Sequence, residues 1–158
     1  MALVVRRIVT GYDANGKSIV IEDAPSKTVM ARRPGMESTV IWATDRPVPD
    51  LGSDTDISAG VKSTTVVNGT VCRIGLFNPG VAARVHRTES IDYAIVLSGE
   101  MDMELDDEVV HIRQGNVIVQ RGTVHNWVNN GAEPCMMAFI LIHAKLPEFG
   151  DKGTGAFG

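Results

Sequence analysis

His86, Thr88 and Asp92 share one parity along the chain, and His125, Trp127 and Asn129 share one along a later stretch. Side chains two apart on an extended strand point to the same face, so each set converges on one surface if its segment is extended. Two imidazoles and a carboxylate facing one cavity can bind a divalent transition metal, and a set of two histidines and one carboxylate leaves coordination positions open for substrate or oxygen. Glu89 is a rival carboxylate with the longer reach, but its parity turns it outward and ranks it behind Asp92. Thr88, Trp127 and Asn129 are then the expected lining of a substrate pocket, with Trp127 as an aromatic wall for an organic molecule. His111 and His143 read as structural histidines, and Arg87 and Arg121 are expected to point away from the pocket. No cluster of Lys or Arg on the pocket parity points to a phosphate group.

Strands have to position these residues. Short β-branched runs recur between Gly, Asn, Asp and Pro, and no segment sustains helical spacing of apolar residues, so the class is all-β. Residues 4–10 and 18–22 flank a turn in which Asn15-Gly16 tolerates positive φ, which predicts an N-terminal hairpin. Further strands are predicted at 38–43, 70–77, 82–86, 91–98, 101–105, 109–113, 116–120, 126–129 and 136–143. So many short strands at close intervals imply a sandwich or barrel. The stretch 44–62 is rich in Pro, Asp, Ser and Gly and reads as a long loop, a surface connection or a lid, and the tail 147–158 reads as flexible. Strands 91–98 and 136–143 are apolar on nearly both faces and need cover on both sides, from a second sheet or from another subunit in a homodimer.

The stretch from Gly80 to Asn129 resembles the cupin superfamily. The first cupin motif reads Gly-x5-His-x-His, three or four residues, Glu, six residues, Gly. Gly80, His86, Thr88, Asp92 and Gly99 match every spacing. The second reads Gly-x5-Pro-x-Gly-x2-His-x3-Asn, and Gly122, His125 and Asn129 keep its spacing, while the gap after Gly115 is one residue short and Gln120 replaces the proline. The resemblance implies a single cupin domain over residues 1–158: an antiparallel jelly-roll barrel, or double-stranded β-helix, with an N-terminal hairpin. Its barrel core would occupy about 65–145 and its N-terminal strands 1–45.

Cupins that bind iron, manganese, zinc or nickel use two histidines and a glutamate from the first motif and the histidine of the second. Carried over by residue, the resemblance implies His86, Asp92 and His125 as ligands, with Thr88 in place of the second histidine. A threonine hydroxyl is a poor ligand for these ions, and Asp92 is one methylene shorter than Glu. The implied function is a metal-dependent enzyme acting on a small organic molecule, of dioxygenase or of lyase or isomerase type. The alternative, favoured by Thr88, is a non-catalytic module that binds a small ligand in a metal-free pocket.

Composition removes other classes. A chain of 158 residues with 44% hydrophobic and 22% charged residues has enough apolar content for one sizeable core. Its net charge of -4 lacks the basic surface that nucleic acid requires. The apolar run before Arg6 is too short for a membrane span or a signal-peptide core, so a cytoplasmic location is expected. Cys72 and Cys135 form no CxxC pair and read as free thiols.

Overall fold

A computed structural model of the chain describes residues 2–53 and 55–148. Of the expected flexible tail, all beyond residue 148 lies outside the described residues. In chain order the strands are β1 (Arg6–Tyr12), β2 (Ser18–Pro25), β3 (Met30–Arg33), β4 (Met36–Thr44), β5 (Thr70–Phe77), β6 (Ser90–Ser98), β7 (Glu100–Glu104), β8 (Val109–Arg113), β9 (Val117–Arg121), β10 (Asn126–Val128) and β11 (Cys135–His143). The 44–62 loop carries a single 3-10 turn at Ser58–Gly60.

All pairings between these strands are antiparallel. A six-stranded sheet runs β3-β4-β5-β11-β6-β9 and faces a three-stranded sheet of order β10-β7-β8. Period-2 patterning fixes which side chains meet between them. Val71 and Phe77 of β5, Ala94 and Val96 of β6, and Met137, Phe139 and Leu141 of β11 pack against Met101, Met103, Ile112 and Trp127 of the smaller sheet. The outer face of the large sheet carries a second cluster in which Leu3 covers Ile74, Leu76 and Ala138. The N-terminal segment thus supplies part of the second cover that β6 and β11 require. Cys72 and Cys135 are free thiols.

The hairpin β1–β2 closes through Gly16, whose φ of 75° suits a residue without Cβ. Arg7 ties it to the barrel: its guanidinium lies over the Trp42 ring, 5.4 Å from the centroid, and pairs with Glu22 and Asp56. Gly99, between β6 and β7, has a φ of 75°, and a Cβ there would come within 2.5 Å of the Pro134 carbonyl oxygen. That turn returns the chain from the large sheet to the small one.

Two segments differ from the sequence expectation. Residues 82–86 form no strand; only His86 bridges to His125. The backbone groups there find other partners: Ala82 N–H donates to the Pro34 carbonyl, the Ala82 carbonyl accepts from Arg33 Nε, and Arg84 N–H donates to Asn126 Oδ1. The strand β3 was not expected, because the four residues MARR show no alternation of apolar and polar types.

Candidate functional site

The histidine pair is built from backbone. His86 N–H donates to the His125 carbonyl at 3.0 Å and His125 N–H to the His86 carbonyl at 2.9 Å, which joins the segment before β6 to the one before β10. The reciprocal bonds set the imidazoles side by side, ring centroids 4.4 Å apart. Each Nδ1 stands 2.9 Å from the carbonyl two residues earlier, Arg84 for His86 and Thr123 for His125. A carbonyl only accepts, so Nδ1 carries the proton in each neutral ring and Nε2 keeps its lone pair. Both rings are buried, and burial is the main force that lowers each pKa to about 4. The neighbouring imidazole adds to this at His86, and Arg84 and Arg33 add at both. Both histidines are therefore neutral at physiological pH.

They line a cavity of about 60 Å³ between the two sheets, together with Thr88, Asp92, Gln120 and Trp127. Asp92 and Gln120 are cross-strand partners on β6 and β9. The Ser90 hydroxyl donates to Asp92 Oδ1 at 2.5 Å and the Thr88 hydroxyl to Oδ2 at 3.4 Å. Burial raises the Asp92 carboxyl to about 6, against the downward pull of those hydroxyls. Trp127 stands edge-on to His125, with centroids 5.3 Å apart, and against Phe139 at 5.8 Å. Trp127 thus lines the cavity with its ring.

The expected residues do not all meet. His86, Thr88, Asp92, His125 and Trp127 share the cavity; Asn129 and Glu89 do not line it. Asn129 is buried elsewhere, with Nδ2 donating to the Phe77 and Glu133 carbonyls and Oδ1 accepting from Gly131 N–H. Glu89 is exposed, as its parity implies. His111 is exposed beside Asp102 and Glu100, a surface position. The expectation of no basic cluster is corrected: Arg33, Arg73 and Arg84 line the cavity. Arg84 shares the parity of His86, and Arg73 that of Phe77, so those two were legible in the sequence. Arg33 lay hidden with the unrecognised β3.

The two imidazoles fit a divalent metal: metal-binding histidines characteristically donate the second ring nitrogen to a carbonyl or carboxylate, as both do here. Asp92 stands apart from them in this conformation. Among the described residues no three His, Cys, Asp or Glu side chains gather closely enough to hold one ion.

The fold agrees with comparisons against known proteins. The family model described as "Cupin domain" matches residues 74–142. The cupin-domain-containing oxidoreductase virC of Hypocrea virens is 33% identical over 147 residues, covering 88% of this chain and 76% of that protein. The chain belongs to the cupin family. The phomopsin biosynthesis cluster protein C' of Diaporthe leptostromiformis is 36% identical over 160 residues, covering 94% of this cupin and 84% of the relative. Among solved structures, AerE from Microcystis aeruginosa superposes with a TM-score of 0.55 at 19% identity, over 80% of this cupin and 50% of that chain. The Schizosaccharomyces pombe Cnp3 cupin domain superposes with a TM-score of 0.52 at 11% identity, over 87% of both. These two likenesses concern the barrel. No helix among the described residues is long and apolar enough to cross a membrane.

Proposed function

We propose that this cupin is a metal-dependent oxidoreductase of a biosynthetic pathway, acting on a small organic molecule in the cavity beside His86 and His125. One observation carries the reading: two buried neutral imidazoles stand together with Nδ1 tied to backbone carbonyls, which leaves Nε2 of each as a ligand. The oxidoreductase name of virC, and the biosynthesis-cluster name of the phomopsin relative, support the reaction class.

His86 and His125 would hold iron, manganese, zinc or nickel, with Asp92 as the third protein ligand after a local shift. Bound there, such an ion supplies Lewis-acid or redox chemistry at its open positions. The other work falls to the chain. Trp127 and Phe139 pack on the carbon skeleton, and the sheets exclude water from the reacting end. Asp92, when not bound to the ion, can hold or release a proton near neutrality because its pKa is about 6.

Metal content of the protein, purified without an affinity tag and reconstituted with each of the four ions, tests this. Stoichiometric metal in the wild type, lost in His86→Ala and in His125→Ala, is the expected result. No uptake of any of the four overturns metal dependence. The second reading, a ligand-binding cupin with a metal-free pocket, is favoured by the hydroxyl partners that already engage both Asp92 oxygens. Its signature is saturable binding of a small molecule by a chain that takes up no metal and turns nothing over.

A further inference from the structure

Buried cations are normally paired, and this cavity breaks that rule. Arg73, in the middle of β5, lies on the inward parity of Val71 and Phe77 and is only 6% exposed. Its Nη2 donates to the Ser63 carbonyl at 2.7 Å, but its Nε has no hydrogen-bond partner among the described residues. Arg33, the last residue of β3, donates Nε to the Ala82 carbonyl at 2.7 Å and lies 6.0 Å over the Phe77 ring, while its Nη2 has no partner. Arg84 lines the same wall, and its carbonyl is the group that holds His86 Nδ1.

The partners of Arg33 and Arg73 are neutral carbonyls, and neither forms an ion pair with a carboxylate among the described residues. Among the described residues the one carboxylate on the cavity wall, Asp92, is engaged with Ser90 and Thr88. Both groups feel Arg84: burial and then Arg32 and Arg84 lower Arg73 to about 10, and burial and then Arg84 lower Arg33. Two guanidinium groups, one buried and one half-buried, with no carboxylate partner among the described residues carry a cost that a bound anion offsets. The Arg fork is planar and matches a carboxylate in shape and charge.

We infer that the cavity takes an organic carboxylate, with its two oxygens on Arg33 and Arg73, the charge of Arg84 nearby, and its carbon skeleton against Trp127, Phe77 and Phe139. The inference rests on the reading that this cavity is the substrate site, and it names the substrate class. Two unpartnered guanidinium nitrogens suit two oxygens. The arginines also place the anion beside the histidines, since Arg33, Arg73, Arg84, His86 and His125 line one cavity.

Calorimetric titration of the full chain in chelator tests the inference, with acetoacetate and benzoate as probes, their methyl esters as neutral counterparts, and inorganic phosphate as the competing anion. The expected result is saturable binding of at least one carboxylate, one per chain, with its ester inert and phosphate weaker. Arg73→Met and Arg33→Met should each weaken it about tenfold or more, as loss of a charge-assisted hydrogen bond does. Circular dichroism checks each variant for folding, and Arg33→Met, at a half-buried position, decides the matter if Arg73→Met does not fold. Absence of binding by both carboxylates, esters that bind as well as their acids, phosphate that binds more tightly, or variants that bind like the wild type would each overturn the inference. Because the titration contains chelator, a failure of metal dependence leaves it standing, and metal uptake by a chain indifferent to carboxylates would overturn it alone.

Discussion

At the scale of single residues, burial has opposite consequences for the acid and the bases of the cavity. Asp92 is raised to about 6 from an ordinary 3.8, so the folded chain binds its proton more tightly than the unfolded chain does between those values. In the metal-free protein the ionised Asp92 therefore costs stability above about pH 6, and the cost fades as pH falls toward 3.8. The imidazoles behave the other way. Each is lowered to about 4 from 6.5, so their contribution is intact above 6.5 and is lost as pH falls through 4. Asp92→Asn isolates the carboxylate, since the amide keeps an oxygen for the Ser90 hydroxyl. The metal-free variant is expected to exceed the wild type at pH 8 by up to about 3 kcal/mol, the equivalent of a shift of roughly two units, and to match it near pH 4. Urea unfolding in chelator at the two pH values measures the difference, and an equal offset at both would refute a raised carboxyl.

At the scale of elements, a strand ending one residue early decides what Asn129 does. Parity extends the face of His125 and Trp127 to Asn129, but β10 stops at Val128 and the chain turns. Beyond that end Asn129 becomes a knot for three backbone groups, joining Phe77 at the end of β5 to Gly131 and Glu133. Asn129→Ala is expected to cost about 1–3 kcal/mol, because it strands buried backbone groups, while leaving ligand binding in the cavity unchanged. Thermal unfolding beside a binding titration separates the two, and weakened binding at unchanged stability would contradict the assignment.

Other elements were more legible. The strands β5 and β8 fall where alternation and flanking turn residues put them, and Gly16 adopts the positive φ its turn implied. The resemblance to the cupin motifs implied that His86 and His125 belong to one site, and the structure sets them side by side. What escaped was long-range: β3 exists because it lies along β4, and residues 82–86 avoid a strand because Pro34, Arg33 and Asn126 take up their backbone groups. Neither fact has a local sequence signal. Arg33 reaches the cavity through β3, so the basic wall was only partly visible.

At the scale of the whole molecule, two apolar surfaces remain uncovered. Tyr93 and Val119 are cross-strand neighbours on the outer face of β6 and β9, and both are exposed, as are Leu97, Val117 and Ile142 around them. The hairpin β1–β2 exposes Ile8, Tyr12, Val20 and Ile21, and a two-stranded ribbon has little stability without cover. Contiguous apolar patches of this kind mark interaction sites. We propose a second copy of the chain as the occupant, because a two-fold axis would let the hairpin of each protomer cover the outer sheet of the other, so that each contact occurs twice. Sedimentation analysis of the wild type at micromolar concentration is expected to show a dimer. Val119→Lys on the sheet and Val20→Lys on the hairpin should each shift it to monomer, with the circular dichroism spectrum unchanged. A monomeric wild type would refute the arrangement. A dimer broken by Val119→Lys but untouched by Val20→Lys would refute the reciprocal contact and leave pairing of one outer sheet with another.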